Sequence, residues 1–182
     1  MNVLQTILSN ALSIPGLTTQ EECKFLFELA LSAPSGWFVE LGSFKGRSGY
    51  VLCEAAKRRN DTTVLLIDNF SHHQFTNKEI LRHNLFEMGF SPLIVDGDSS
   101  VIPKIYPAEQ RVGLLFIDSE HTKRHFNKEC AAWLPKVASK GVVVCHDYGG
   151  PNCPEITNAI DDNLKKFPRI GLVRRLIAFE IS

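Results

Sequence analysis

Five acids stand at intervals along the chain, each where a short apolar run ends: Glu40, Asp68, Asp98 with Asp96 just before it, Asp118 and Asp147. If those runs are strands of an open parallel sheet, ligands bind beyond their carboxyl ends, and the acids converge on one rim. Such a rim suits a ligand that carries hydroxyls and positive charge. Each acid alone has a plain structural reading as a loop residue or a helix N-cap. Gly42-Ser43-Phe44-Lys45-Gly46-Arg47-Ser48 follows Glu40. In this turn Gly42 lets the backbone approach a ligand, and Gly46 permits tight strand-to-helix packing. The turn is not G-x-G-x-x-G, and Glu40 would repel a pyrophosphate. Asp68 can accept two hydrogen bonds from a ribose diol, or it can cap the helix that follows. Asp98 and Ser99 open a short helix and can address an adenine edge, or Ser99 and Ser100 serve only as caps.

Two histidines, His121 and His125, lie four residues apart on an expected helix. A metalloprotease zinc pair needs Glu immediately after the first histidine, and Thr122 stands there instead. His72-His73 falls in a loop after Asp68, read more simply as solvated than as touching cofactor or substrate. Arg174-Arg175 and Lys57-Arg58-Arg59 read as solvated ends of elements, and Trp133, Cys53 and Cys145 as core.

The elements that must position these residues follow from the apolar pattern. Leu4, Ile7, Leu8 and Ala11 recur at helical spacing, and Pro15-Gly16 stops that helix. Thr18 with Glu21 reads as a capping box for a second helix, whose buried face carries Cys23, Leu26, Phe27 and Ala30. Strands are expected at Trp37–Leu41, Val64–Ile67, Leu93–Val95, Val112–Ile117 and Val142–Cys145. Helices are expected near Arg47–Arg59, Asn77–Met88, Ser99–Ile105, Thr122–Leu134 and Glu155–Lys166. Short apolar strands alternating with helices indicate an α/β fold with a parallel sheet covered on both faces. Arg169–Arg175 and Leu176–Ile181 add an antiparallel hairpin at the C-terminal end.

The 182 residues fit one domain spanning 1–182, with residues 1–33 as N-terminal helices that cover the site or pair subunits as a homodimer. Twenty Lys+Arg balance 20 Asp+Glu, which argues against a nucleic-acid partner. The five cysteines are odd in number and contain no CxxC pair, so neither a disulfide framework nor a cysteine zinc site is suggested. The N-terminus lacks a basic n-region and no run of 18 apolar residues occurs, so no membrane partner and a cytoplasmic setting are expected.

Taken in order, the motifs resemble a family. They are Phe38-Val-Glu-Leu-Gly-Ser-Phe-Lys-Gly-Arg-Ser48, Leu65-Leu-Ile-Asp-Asn69, Phe116-Ile-Asp-Ser-Glu-His121, Trp133-Leu-Pro-Lys136 and Lys140-Gly-Val-Val-Val-Cys-His-Asp-Tyr148. Together they resemble class I S-adenosylmethionine-dependent methyltransferases. Within that class they resemble methyltransferase family 24, small-molecule O-methyltransferases related to macrocin O-methyltransferase and cephalosporin-tailoring enzymes. The wider group includes catechol O-methyltransferase. The resemblance covers roughly Ile14 to Lys166 and implies a Rossmann-like, doubly wound, mostly parallel sheet of about seven strands.

It also implies roles. Glu40, Gly42, Ser43, Phe44, Gly46, Ser48, Asp68, Asp98, Ser99 and Asp118 would form the S-adenosylmethionine site, with Glu40 near the ammonium, Asp68 on the ribose, and Asp98 and Ser99 on the adenine. Asp118 and Asp147 match carboxylates that hold Mg²⁺ or another divalent cation. His121 falls where catechol O-methyltransferase has its lysine base. Tyr148 replaces an amide ligand, so His146 or a water would complete the metal shell. The expected reaction is methyl transfer to the hydroxyl of a small-molecule acceptor. The alternatives are an inactive cofactor-binding module and an NAD-type oxidoreductase.

Overall fold

A computed structural model describes residues 2–71, 77–151 and 153–182; His72-His73 lies outside the described residues. Helix α1 (Val3–Ser13) is capped by the Asn2 side chain and buries Ile7, Leu8 and Ala11, as the spacing predicts. Helix α2 (Gln20–Ser32) has its capping box one residue later than expected. Thr19 and Glu22 form it, not Thr18 and Glu21. Thr18 is instead buried and accepts a hydrogen bond from the Cys23 thiol at 3.6 Å.

Strands and helices then alternate: β1 (Trp37–Leu41), α3 (Arg47–Arg59), β2 (Val64–Asp68), α4 (Lys78–Glu87), β3 (Leu93–Asp96), β4 (Val112–Ile117), α5 (Lys123–Trp133), β5 (Val137–Cys145) and α6 (Pro154–Leu164). The expected helix over Ser99–Ile105 shrinks to one 3-10 turn, Ile102–Lys104, which contains Pro103. A proline there lacks the N–H that a longer helix would need. Strand β5 begins five residues earlier than its apolar run: Val137 pairs with Val112, and Ala138–Lys140 leave the core in an irregularity before the register resumes at Val142 opposite Leu114.

The hairpin β6 (Arg169–Val173) and β7 (Leu176–Glu180) completes a seven-stranded sheet in the order β3-β2-β1-β4-β5-β7-β6. Strands β1 to β5 are mutually parallel. Strand β7 runs antiparallel between β5 and β6, so β6 is the edge. The order reverses between β1 and β4, the place where an open α/β sheet leaves a crevice at its carboxyl ends.

Side chains alternate across each strand and feed two cores. Phe38, Leu66, Leu114 and Val144 pack against α1, α2 and α3. Val39, Leu41, Leu115 and Val143 pack with Trp133 of α5 and Ile160 of α6. Glu40 shares the first face with Phe38, which places a carboxylate in an apolar layer. No helix among the described residues is long and apolar enough to cross a membrane.

Candidate active site

At the switch point the backbone that leaves β1 closes tightly on β2 and on the end of β4. Gly42 N–H donates to Ile67 O, and Asp118 N–H donates to Leu41 O, each at 2.8 Å. A Cβ on Gly42 would fall 2.1 Å from the Asp118 carbonyl oxygen, and φ at Gly42 is +86°, so only glycine fits. Gly46, at φ +96°, caps α3 without a side-chain bond.

A cavity of about 400 Å³ opens here, within the range of small-molecule sites. Its floor is Gly42, Ser43, Phe44 and Ser48 from the glycine turn, Asp68 from β2, Ser99 after β3, and Asp118 and His121 after β4. Gly16, Leu17 and Thr18 of the N-terminal segment form one wall. Arg47 holds that wall by donating to Ile14 O at 2.9 Å and Thr18 O at 2.7 Å. Eight predicted site residues thus line one cavity. Glu40, Gly46, Asp98 and Asp147 do not line it, and each lies just outside.

Glu40 is fully buried below the turn, and neither carboxylate oxygen has a hydrogen bond of good geometry. The missing Cβ of Gly49 makes room for it, since one there would lie 3.1 Å from Oε2. Burial pushes the Glu40 pKa up to about 8, against a smaller pull downward from the nearby Ser48 and Ser43 hydroxyls. The Ser43 hydroxyl is also buried without a partner. These orphaned polar atoms fit a cationic ligand group, which would satisfy them.

Asp68 is engaged more closely than the diol expectation allows. Its Oδ2 accepts from the Ser43 and Phe44 amides at 2.9 and 2.7 Å, and Oδ1 accepts from Phe70 N–H at 2.7 Å. One Oδ1 lone pair is left for a ligand hydroxyl. Asp98, half-exposed, caps its own loop through the Ser100 amide and hydroxyl.

The metal-type cluster forms. Asp118, His121 and Asp147 each offer a ligand atom, all within 4.8 Å of one another. His121 Nε2 lies 2.7 Å from Asp147 Oδ2 and 3.9 Å from Asp118 Oδ1. The Asp147 hydrogen bond raises the His121 pKa above 6.5, against desolvation. Asp147 adopts φ +60°, a costly conformation for a non-glycine residue and one often found at functional sites. Its contacts with His121 and His146 hold it well below the usual carboxylate range.

Buried His146 sets Nδ1 3.2 Å from Asp118 Oδ1 and 3.4 Å from Asp147 Oδ2, without hydrogen-bond alignment. Its Nε2 is 3.5 Å from Glu22 Oε1. Burial opposes its charge, yet Asp118, Asp147 and Glu22 outweigh burial and push its pKa up to about 12. The hard oxygens of Asp118 and Asp147 fit a divalent cation, while the charged His146 would join them as a ligand only by giving up its Nδ1 proton. Tyr148 is turned away and donates to Asp161 at 3.1 Å. His121 and His125 do not pair, because His125 reaches Ser99 and Glu129.

Sequence reasoning missed Glu22, Glu129 and Arg175. Glu22 was legible only as a cap, one residue off. Arg175, read as a solvated end, donates its amide to Glu22 at 3.0 Å and sets its guanidinium 3.8 Å from Asp147. Glu129 had one signal: it is an acid on the buried face of α5, among Phe126, Cys130 and Trp133.

Comparison with known proteins agrees with this geometry. No curated protein matches in sequence. The O-methyltransferase NovP has a similar fold at TM-score 0.74 and 16% identity, covering 92% of this chain and 83% of that one. The methyltransferase PaMTH1 of Podospora anserina, solved with bound SAH, is similar at TM-score 0.70 and 13% identity, covering 100% and 88%. Cofactor-bound Rv0187 from MTB gives TM-score 0.69 and 20% identity, covering 98% and 88%. A family model described as a methyltransferase domain matches residues 39–148, from β1 through the Asp147 rim. The chain belongs to this methyltransferase-domain family.

Proposed function

We propose that this chain transfers a methyl group from S-adenosylmethionine to the hydroxyl of a small molecule, with a divalent cation at Asp118 and Asp147. The observation that carries the choice of cofactor is the state of the glycine turn. In a dinucleotide site the turn amides face a pyrophosphate. Here the Ser43 and Phe44 amides are spent on Asp68, and unpartnered Glu40 lies beneath. That arrangement disfavours a polyanion and favours a cation, which weighs against the NAD-type reading.

Bound adenosylmethionine supplies an electrophilic methyl on a sulfonium. A cation bound at Asp118 and Asp147 supplies Lewis acidity toward the acceptor oxygen. The protein's own part is positioning and proton handling. Glu40, with Ser43 and Ser48 above it, offers negative charge to the cofactor's ammonium. Asp68 Oδ1 accepts from one ribose hydroxyl. Ser99 meets the base. The Gly16–Thr18 wall, strapped by Arg47, keeps water from the methionine half. His121 donates Nε2–H to Asp147, which fixes the orientation of its ring, and accepts the acceptor's proton at Nδ1.

Turnover of methyl-labelled adenosylmethionine against a panel of small phenols and sugars, with Mg²⁺ and then with EDTA, tests the reaction. Labelled, EDTA-sensitive product supports the proposal. EDTA-insensitive product removes the metal role. A second reading, a module that binds the cofactor without turning it over, draws on one observation. Asp118 and Asp147 are already surrounded by His121, His146 and Arg175, which can balance their charge without a metal. Binding with no product on any acceptor would favour it.

A further inference from the structure

Behind the far end of the cavity lies a buried polar cluster, centred on Glu129, of which the reaction above uses only Ser99. Glu129 of α5 is fully buried. The Ser99 hydroxyl donates to its Oε1, and the Ser119 hydroxyl lies 2.6 and 2.7 Å from its two oxygens. His125 Nε2 lies 3.3 Å from Glu129 Oε1 and 3.2 Å from Ser99 Oγ, while its Nδ1 faces Glu120 Oε2 at 3.5 Å. The Trp133 indole N–H donates to Ser99 O at 2.8 Å, which fixes the loop from below. Ser99, Ser119, Glu120 and His125 all line the cavity.

Donor accounting gives this cluster a direction. A carboxylate only accepts, whereas a serine hydroxyl has one proton and two lone pairs. With Glu129 behind them, both serines spend their single protons inward. What they turn to the cavity is lone pairs. Both nitrogens of His125 face carboxylates, so its donors are also committed. Glu120 is itself an acceptor. The polar side chains at this end therefore present acceptors to a ligand.

We propose that Glu129 is a specificity-determining positioning residue: by taking the protons of Ser99 and Ser119 it makes this wall an acceptor surface that selects a 6-amino purine over a 6-keto purine. A 6-amino group brings the protons that the wall lacks. A 6-keto purine would set its oxygen lone pairs against those of the wall and bring only its single N1–H, one position round the ring, in place of the two amino protons. The inference rests on reading the cavity as the adenosylmethionine site, with the base at Ser99.

Calorimetry with S-adenosylhomocysteine and its 6-keto analogue, S-inosylhomocysteine, tests it on the full chain. Wild type should prefer the adenosyl compound by about a hundredfold or more. In Glu129→Gln the side-chain amide donates to one serine and frees that hydroxyl's proton for the cavity, so the preference should fall to within about threefold. General loosening of the loops would weaken both ligands together and leave their ratio unchanged, which overturns the proposal. Equal binding of both ligands by wild type overturns it too. Ser119→Ala, which removes one acceptor from a surface loop, gives a second reading of the ratio if Glu129→Gln does not fold. There the ratio should drop about tenfold, and an unchanged ratio refutes the inference. Wild type that binds neither ligand refutes the cofactor reading itself, and this inference with it.

Discussion

Replacing Glu40 with glutamine should raise the stability of the ligand-free protein near neutral pH and weaken its hold on the cofactor. Burial sets the folded pKa of Glu40 at about 8, against 4.5 for an ordinary glutamate. The sign follows from proton counting. Below pH 4.5 both folded and unfolded chains carry a neutral carboxyl, and there is no penalty. As pH rises from 4.5 toward 8 the unfolded chain ionises while the folded one holds its proton, so stability falls; above 8 the loss is constant. At about 1.4 kcal/mol per pH unit, the loss is about 3 kcal/mol by pH 7. Glutamine stays neutral in both states and escapes this loss. Its extra N–H is a buried donor that costs about 1–3 kcal/mol at every pH. The diagnostic is therefore the slope with pH, not the absolute stability. Urea unfolding of both proteins between pH 5 and pH 8 measures it. Wild type should lose about 3–4 kcal/mol more than the variant across that range. In the proposed complex the ammonium ionises Glu40, so binding near pH 7 should release a proton, seen as a buffer-dependent heat that is absent in the variant. Parallel stability curves for the two proteins would refute the reasoning.

Gly42→Ala should destabilise by more than about 2 kcal/mol, since its Cβ meets the Asp118 carbonyl at 2.1 Å, whereas Gly89→Ala, with no atom within 4 Å, should cost only about 1 kcal/mol for its positive φ. Equal unfolding midpoints would contradict this. Asp68→Ala removes the acceptor that the Ser43, Phe44 and Phe70 amides share and should lower both thermal stability and cofactor affinity, the latter by about tenfold or more. An unchanged affinity in titration removes Asp68 from the site. His121 should titrate above 6.5 in metal-free protein by NMR and shift back toward that value in Asp147→Asn, because the Asp147 hydrogen bond is the main cause of the rise. In turnover, His121→Ala should lose about 10²–10⁴-fold in kcat if His121 is the base; a variant that loses metal affinity instead makes it a ligand.

The alternation of apolar runs and helices was enough to place the parallel sheet, because a buried strand is constrained on both faces; the reversal between β1 and β4 was not legible in it. The hairpin was legible too, although not that β7 would insert beside β5 and leave β6 outside. Where local signals compete, the sequence reading slipped. Thr18 and Thr19 both precede a glutamate by three residues, and tertiary burial of Thr18 decided for Thr19. Pro103 stands at the break in the Ser99–Ile105 helix, and the chain beyond it is held by tertiary packing, where Tyr106 meets Trp37 and Trp133 edge to face. The partners of Glu22 and Glu129 were out of reach for a different reason. Each acid bonds to residues distant in sequence, Arg175 for Glu22 and Ser99 for Glu129, and no spacing rule joins them. The choice between Asp68 as cap and as ribose ligand was also not separable by sequence: Asn77 caps α4, while the Asp68 carboxylate holds the Ser43, Phe44 and Phe70 amides and keeps one lone pair.

Calorimetric titration of the unmodified chain with S-adenosylhomocysteine and, in parallel, with NAD tests the central claim most directly. The account predicts one-to-one binding of adenosylhomocysteine in the micromolar range or tighter and no heat with NAD. No binding of adenosylhomocysteine at high micromolar concentration, or preference for NAD, would contradict it.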